Sequence, residues 1–195
     1  MKARKGMNLP NKLTVVRICL VPFFVFFMLA EFIPYRFLYA LILFSVASYT
    51  DRLDGKIARS RNLITNFGKL MDPLADKIMV MSALICFVKL DLASAVCVII
   101  IMFREFAVTS VRMIAVEQGK VIPANNWGKA KTISQIVSII VILLLQVVLS
   151  FIADFGALSG AFHIVSEILI VIATVLTLIS GIIYVKDSAS LFQDM

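Results

Sequence analysis

Apolar residues run through this chain in long unbroken stretches, and the charged residues collect between them. Charge-free segments extend from Ile18 to Ala30, Phe37 to Thr50, Ile78 to Val88, Leu92 to Phe103, Thr132 to Ala153 and Ile168 to Val185. A helix needs about 20 apolar residues to cross the hydrocarbon core of a bilayer. The last two segments reach that length unaided, and the first four reach it only with flanking, partly charged residues. The pattern predicts six helices, at about residues 11–30, 36–60, 70–89, 92–118, 128–151 and 163–186. Alternation of period two is absent, and sheet could span lipid only as a closed barrel. The expected fold is all-α: a polytopic membrane protein of six transmembrane helices, forming one domain over residues 1–195 with a short interfacial segment at about 1–10.

Composition supports this reading. The chain has 195 residues, 61% hydrophobic and 16% charged, with a mean hydropathy of +1.00. A soluble domain is about 45–50% apolar and about 25% charged, so a soluble globule and a disordered chain are both excluded. Six spans would use about 120 residues, which leaves short loops and no separate soluble domain. Cys19, Cys86 and Cys97 lie inside apolar runs without paired spacing, as packing residues rather than bridges or zinc ligands. No small-residue cleavage site follows the first apolar run, so it reads as a retained helix. Gly156-x-x-x-Gly160 fits a small-residue helix-contact motif but falls where a loop is expected.

Basic residues set the orientation. With six spans the loops on one side fall near 31–36, 89–91 and 152–162, and only Arg36 and Lys89 of the 19 Lys and Arg lie there. Lys2, Arg4, Lys5, Lys12, Arg52, Lys56, Arg59, Arg61, Lys69, Lys120, Lys129 and Lys131 fall on the other side. The positive-inside rule makes that side cytoplasmic, with both termini on it. The net charge of +7 then reflects topology and attraction to anionic headgroups, and requires no nucleic acid. A cell membrane, plasma or inner, is the expected location.

Four of the 12 acids crowd together: Asp51, Asp54, Asp72 and Asp76. Asp51 and Asp54 are i, i+3 near the end of the second helix, and Asp72 and Asp76 are i, i+4 at the start of the third. Each pair therefore shares a helix face. The connector Asn62–Gly68 is rich in turn residues and lets the two helices return as an antiparallel pair. Pro73 suits a first helical turn, with Asp72 as its cap. Four facing carboxylates cannot all stay ionised without counter-charge. Two divalent cations would supply it, and all-oxygen ligands select Mg²⁺ or Mn²⁺. The bland alternative is that Arg52, Lys56, Arg59, Lys69 and Lys77 neutralise them as ordinary helix-end acids. Gly55 and Ala58 leave the backbone open to a ligand, and Arg59 can donate a forked pair of hydrogen bonds to phosphate. Together these features point to phosphoryl transfer on a diphosphate substrate, at the cytoplasmic end of the bundle.

Written out, the stretch is Asp51-Arg-Leu-Asp54-Gly55-Lys-Ile-Ala58-Arg59, eight residues, then Gly68-Lys-Leu-Met-Asp72-Pro-Leu-Ala-Asp76. It resembles the D-x-x-D-G-x-x-A-R-x(8)-G-x-x-x-D-x-x-x-D pattern of the CDP-alcohol phosphatidyltransferases at every fixed position. The resemblance implies a six-helix membrane enzyme, typically a homodimer, that displaces CMP from a CDP-linked lipid with an alcohol and uses two metal ions. It implies Asp51, Asp54 and Asp72 as ligands of one ion and Asp51, Asp72 and Asp76 as ligands of the other, with Asp76 also the general base. By the same resemblance Gly55, Arg59 and Thr65 contact the CDP-diacylglycerol nucleotide, and Asn11-x-x-Thr14-x-x-Arg17 forms a wall beside it.

The fourth span carries Arg104, Glu105 and Arg112, followed by Gly128-Lys129-Ala-Lys131-Thr132 and Gln135. A basic set beside a diphosphate site suggests an acceptor with its own phosphate, held by Arg104, Arg112, Lys129 and Lys131. The competing reading pairs Arg104 and Arg112 with Glu105 and Glu117 and leaves the lysines to topology. The spelling Arg-Glu-Phe…Arg…Gly-Lys-x-Lys-Thr resembles family members that accept sn-glycerol 3-phosphate; inositol phosphate, serine or phosphatidylglycerol are the alternative acceptors. The resemblance covers about residues 8–135, and the last two helices read as apolar and uninformative. A transporter would place its acids near the midplane and break its helices, and a prenyltransferase would carry a second Asp-rich pair after Asp76. Neither feature is present. His163 and Trp127 read as interfacial residues.

Overall fold

A computed structural model describes residues 9–60, 66–117, 126–152 and 156–187, with side chains described for 12–50, 74–75, 77–115, 126–152 and 159–186. These residues form six helices: α1 Leu9–Leu29, α2 Arg36–Ser60, α3 Asn66–Lys89, α4 Ala95–Glu117, α5 Asn126–Phe151 and α6 Gly156–Asp187. No strand occurs among the described residues. Three stretches are long and apolar enough to cross a bilayer by length and composition: Lys12–Leu29, Asn126–Phe151 and Ser159–Lys186.

Two boundaries differ from expectation for identifiable reasons. The helix α6 begins at Gly156, so residues 156–162 continue the helix where a loop was expected. Two glycines weaken a helix by about 1 kcal/mol each, but Ala157, Leu158, Ala161 and Phe162 between and beyond them favour it. Gly160 sits on that helix with no heavy atom within 4 Å of an added Cβ, so nothing described in this chain packs against it. The helix α3 begins at Asn66, which places Asp72 and Pro73 inside the helix rather than at its start. Asp72 is therefore not the N-cap; Asn66 and Phe67, expected in the connector, belong to the helix.

The chain divides into two compact units. The first comprises residues 1–86 and 143–153. Within it α1 packs along α2, with Phe24 against Phe44 at 6.0 Å and Phe27 against Tyr39 at 5.2 Å between ring centroids. One number rises as the other falls, so the pair is antiparallel. The buried face of α1 is Thr14, Arg17, Val21, Phe24 and Met28, at the alternating spacing of three and four that marks one helix face. Phe23 and Phe26 are exposed on the other side, as suits helices whose solvent is lipid. Tyr35, in the connection from α1 to α2, takes a left-handed φ of 56° and stacks its ring on Phe151 at 4.9 Å.

The second unit comprises residues 87–142 and 154–195, and in it α4 packs on α6. Its interior is unusually polar. Lys131, Gln135 and Ser138 of α5 and Ser166, Thr174, Thr177 and Ser180 of α6 are all buried, whereas Val171, Ile172, Val175, Leu178 and Ile182 are exposed. Hydroxyl side chains tolerate this position because each can return a hydrogen bond to its own helix. Thr174 Oγ1 donates to the Ile170 carbonyl at 2.8 Å and Thr177 Oγ1 to that of Ala173 at 2.6 Å.

Candidate functional site

The aspartates fall on two helices of the first unit. Asp51, Asp54, Gly55 and Arg59 belong to α2, and Asp72 and Asp76 to α3. Both stretches are regular helix, so the i, i+3 and i, i+4 spacings do put each pair on one face. The side chains of Asp51, Asp54, Gly55, Arg59, Asp72 and Asp76 lie outside the described residues, as does Thr65 altogether. Asn11 belongs to α1 with its side chain likewise outside them, and Thr14 is fully buried on the same helix one turn from buried Arg17.

The basic residues of the second unit are described in full and form a built cluster. Glu105 on α4 is ion-paired with Lys131 on α5, and Arg104 Nη1 lies 3.5 Å from the same carboxylate oxygen. Arg104 Nη2 reaches across to α6 and donates to Ser180 Oγ at 2.7 Å. One turn along α5 from Lys131, Gln135 Nε2 donates to Thr177 Oγ1 at 3.2 Å, and Ser138 Oγ donates to the Leu169 carbonyl at 3.2 Å. Arg104, Glu105 and Lys131 are all buried. Arg112 is exposed, with its guanidinium carbon 5.9 Å from the centre of the Tyr184 ring. Lys129 is exposed at the start of α5.

Of the four basic residues expected to hold an acceptor phosphate, Arg104 and Lys131 are thus brought together around one carboxylate. Arg112 lies over the Tyr184 ring of α6, and Lys129 stands at the surface. The simpler pairing of Arg104 with Glu105 is also present, and Lys131 shares that acid rather than serving topology alone. Two buried cations thus meet at one buried carboxylate, with exposed Arg112 on the same helix as Arg104. Guanidinium and ammonium groups of this kind are suited to donate to a phosphate.

Helix α6 was expected as an apolar span, but its polar face was not. Thr177, Ser180 and Tyr184 recur at spacings of three and four, with Gly181 next to Ser180, a polar stripe hidden inside a run of Leu, Ile and Val. An added Cβ at Gly181 would come within 3.0 Å of Arg104 Cγ and 3.5 Å of its Nε. The missing side chain therefore lets Arg104 lie flat against α6 on its way to Ser180. Spacing alone could have drawn attention to the stripe; the Arg104 contact is what gives it meaning.

Among the described residues no group of three or more His, Cys, Asp or Glu side chains could hold a metal ion. The donor chemistry of the α2–α3 aspartates, all oxygen and all anionic, nevertheless fits a hard divalent cation.

The family model described as CDP-alcohol phosphatidyltransferase matches residues 7–179. A Bacillus subtilis protein named CDP-diacylglycerol–glycerol-3-phosphate 3-phosphatidyltransferase is 49% identical over 148 residues, covering 70% of this chain and 77% of that protein. A Rickettsia felis protein of the same name is 35% identical over 189 residues, covering 97% and 99%. A Mycobacterium tuberculosis protein named probable phosphatidylglycerophosphate synthase is 36% identical over 183 residues, covering 91% and 80%.

Proposed function

The chain belongs to the CDP-alcohol phosphatidyltransferase family, and from that premise we propose that it transfers the phosphatidyl group of CDP-diacylglycerol to sn-glycerol 3-phosphate. The products are phosphatidylglycerophosphate and CMP, a step of anionic phospholipid synthesis. The observation that supports the choice of acceptor is the meeting of buried Arg104 and Lys131 at the Glu105 carboxylate, with Arg112 on the same helix as Arg104. Guanidinium and ammonium groups are suited to an acceptor that carries its own phosphate. The names of the relatives supply the glycerol.

Asp51, Asp54 and Asp72 would hold one divalent ion and Asp51, Asp72 and Asp76 a second, Mg²⁺ or Mn²⁺. Bound there, the ions would offset the charge of the diphosphate and of the departing CMP. Arg59 grips phosphate with a forked pair of hydrogen bonds, and Gly55 leaves the α2 backbone open to the nucleotide. Asn11, Thr14 and Thr65 complete the CDP-diacylglycerol wall. Arg104, Arg112, Lys129 and Lys131 orient the acceptor by its phosphate, which removes much of the entropic barrier to attack. Asp76 accepts the proton of the attacking hydroxyl. A new bond forms between that oxygen and the lipid-side phosphorus, and the bond from this phosphorus to the CMP oxygen breaks.

The enzyme works as one membrane domain with six spans, both termini cytoplasmic and the chemistry at the cytoplasmic ends of the helices. It sits in the cell membrane among lipids that include its own substrate, as a homodimer. The test offers purified protein CDP-diacylglycerol with radiolabelled glycerol 3-phosphate, inositol phosphate, serine or phosphatidylglycerol in parallel. Lipid product should form with glycerol 3-phosphate at least tenfold faster than with any other. A preference for serine or phosphatidylglycerol would overturn the phosphate-acceptor assignment, and one for inositol phosphate would overturn the glycerol.

A further inference from the structure

Two buried donors in the second unit have no hydrogen-bond partner among the described residues: Arg104 Nε and Tyr184 Oη. An unpartnered buried donor costs roughly 1–3 kcal/mol, and folded proteins carry few of them. These two belong to one neighbourhood. Gly181, one turn before Tyr184 on α6, is the residue against which the Arg104 side chain lies, with Nε 3.5 Å from the place a Cβ would take. Ser180 occupies Arg104 Nη2 and Glu105 faces Nη1, so Nε is the guanidinium edge left open. Arg112 lies over the Tyr184 ring, and Arg104, Arg112 and Tyr184 stand within electrostatic reach of one another. Tyr184 is 6% exposed, so bulk water does not serve its hydroxyl.

A phenol and a guanidinium edge, both donating and both without an acceptor, are what a multiply charged oxyanion would satisfy. We propose that Tyr184 is an acceptor-binding residue of this enzyme, its hydroxyl donating to the phosphate of glycerol 3-phosphate beside Arg104 Nε and Arg112. This rests on the reading that the basic cluster holds the acceptor's phosphate, and it adds a residue from a helix whose sequence is otherwise apolar. Ser180 and Gly181 act through Arg104: one fixes the far end of the guanidinium and the other clears its path along α6.

The test is Tyr184→Phe, which keeps the ring under Arg112 and removes only the hydroxyl. Kinetics are measured on the full chain in lipid nanodiscs, with inorganic phosphate as a competitive probe against glycerol 3-phosphate. Loss of one hydrogen bond to a charged group should raise KM for glycerol 3-phosphate about tenfold and weaken inhibition by inorganic phosphate by a similar factor. KM for CDP-diacylglycerol should not move. An unchanged acceptor KM, an equal change for both substrates, or a raised acceptor KM with unchanged phosphate inhibition would each overturn the inference. Arg112→Ala and Lys131→Ala run alongside. If neither raises the acceptor KM, the parent reading of the cluster falls; if both do and Tyr184→Phe does not, only the role of Tyr184 falls.

Discussion

Arg104 of α4 donates to Ser180 of α6 at 2.7 Å, and its aliphatic stem lies where a Cβ on Gly181 would stand 3.0 Å away. A contact of 3.0 Å is too short for an ordinary carbon neighbour, and the clashing atom is Cγ, near the root of the side chain rather than its flexible end. Arg104 must therefore give by a few tenths of an ångström if Gly181 acquires a side chain, which disturbs its hydrogen bond to Ser180.

Gly181→Ala is expected to raise KM for glycerol 3-phosphate several-fold, although alanine favours the helix by about 1 kcal/mol. Ser180→Ala should produce the same direction of change with a smaller loss of order. Steady-state kinetics at saturating CDP-diacylglycerol reads both. An acceptor KM unchanged in both variants would show that the position of Arg104 does not matter to binding.

Glu105 and Lys131 form a buried ion pair in the second unit, each side chain less than a tenth exposed. Removing one partner of a buried pair leaves the other less compensated, at a cost of up to roughly 3–5 kcal/mol. Glu105→Gln and Lys131→Met should each destabilise the protein, and the double variant should lose clearly less than the sum. Denaturant unfolding in mixed micelles measures the cycle. Additive losses would mean that the two side chains do not compensate each other in the folded protein.

The helical architecture was legible because long charge-free runs leave few alternatives: the six expected helices all appear, with α3 and α6 starting well before the expected residues. The signal for α6 starting at Gly156 was masked by two glycines that suggested a loop. The chemistry was legible to different depths. The aspartate motif announced itself through spaced charges that a membrane chain does not carry idly. Arg104, Arg112 and Lys131 were visible for the same reason. Thr177, Ser180, Gly181 and Tyr184 were not, because hydroxyl residues and glycine barely perturb hydropathy and satisfy themselves within an apolar helix. Only a charged partner crossing from α4 exposes their role.

Four carboxylates at the α2 and α3 positions 51, 54, 72 and 76 supply no cation of their own. Activity should vanish on chelation and return with Mg²⁺ or Mn²⁺. Asp51→Asn and Asp72→Asn should each abolish turnover while helicity by circular dichroism stays intact, since apolar packing elsewhere supports the fold. Full turnover in excess EDTA would refute the metal assignment.

Asp76 lies one helical turn beyond Asp72 on α3, a register that suits a role in proton transfer next to the proposed metal ligands. Coordination keeps a carboxylate acidic, so as a base it is weak. Its contribution would then come from position, taking the proton of a hydroxyl as that oxygen bonds to phosphorus. Binding and chemistry should separate accordingly. Asp76→Asn should lower kcat by about 10²–10⁴-fold while CDP-diacylglycerol binding stays measurable. Arg112→Ala should instead act chiefly on KM for glycerol 3-phosphate, because its guanidinium serves the acceptor and not the proton. A single-turnover experiment with preloaded CDP-diacylglycerol isolates the chemical step from product release. If Asp76→Asn retained the wild-type single-turnover rate and changed only substrate affinity, the proton would have another destination and Asp76 would be a binding residue alone.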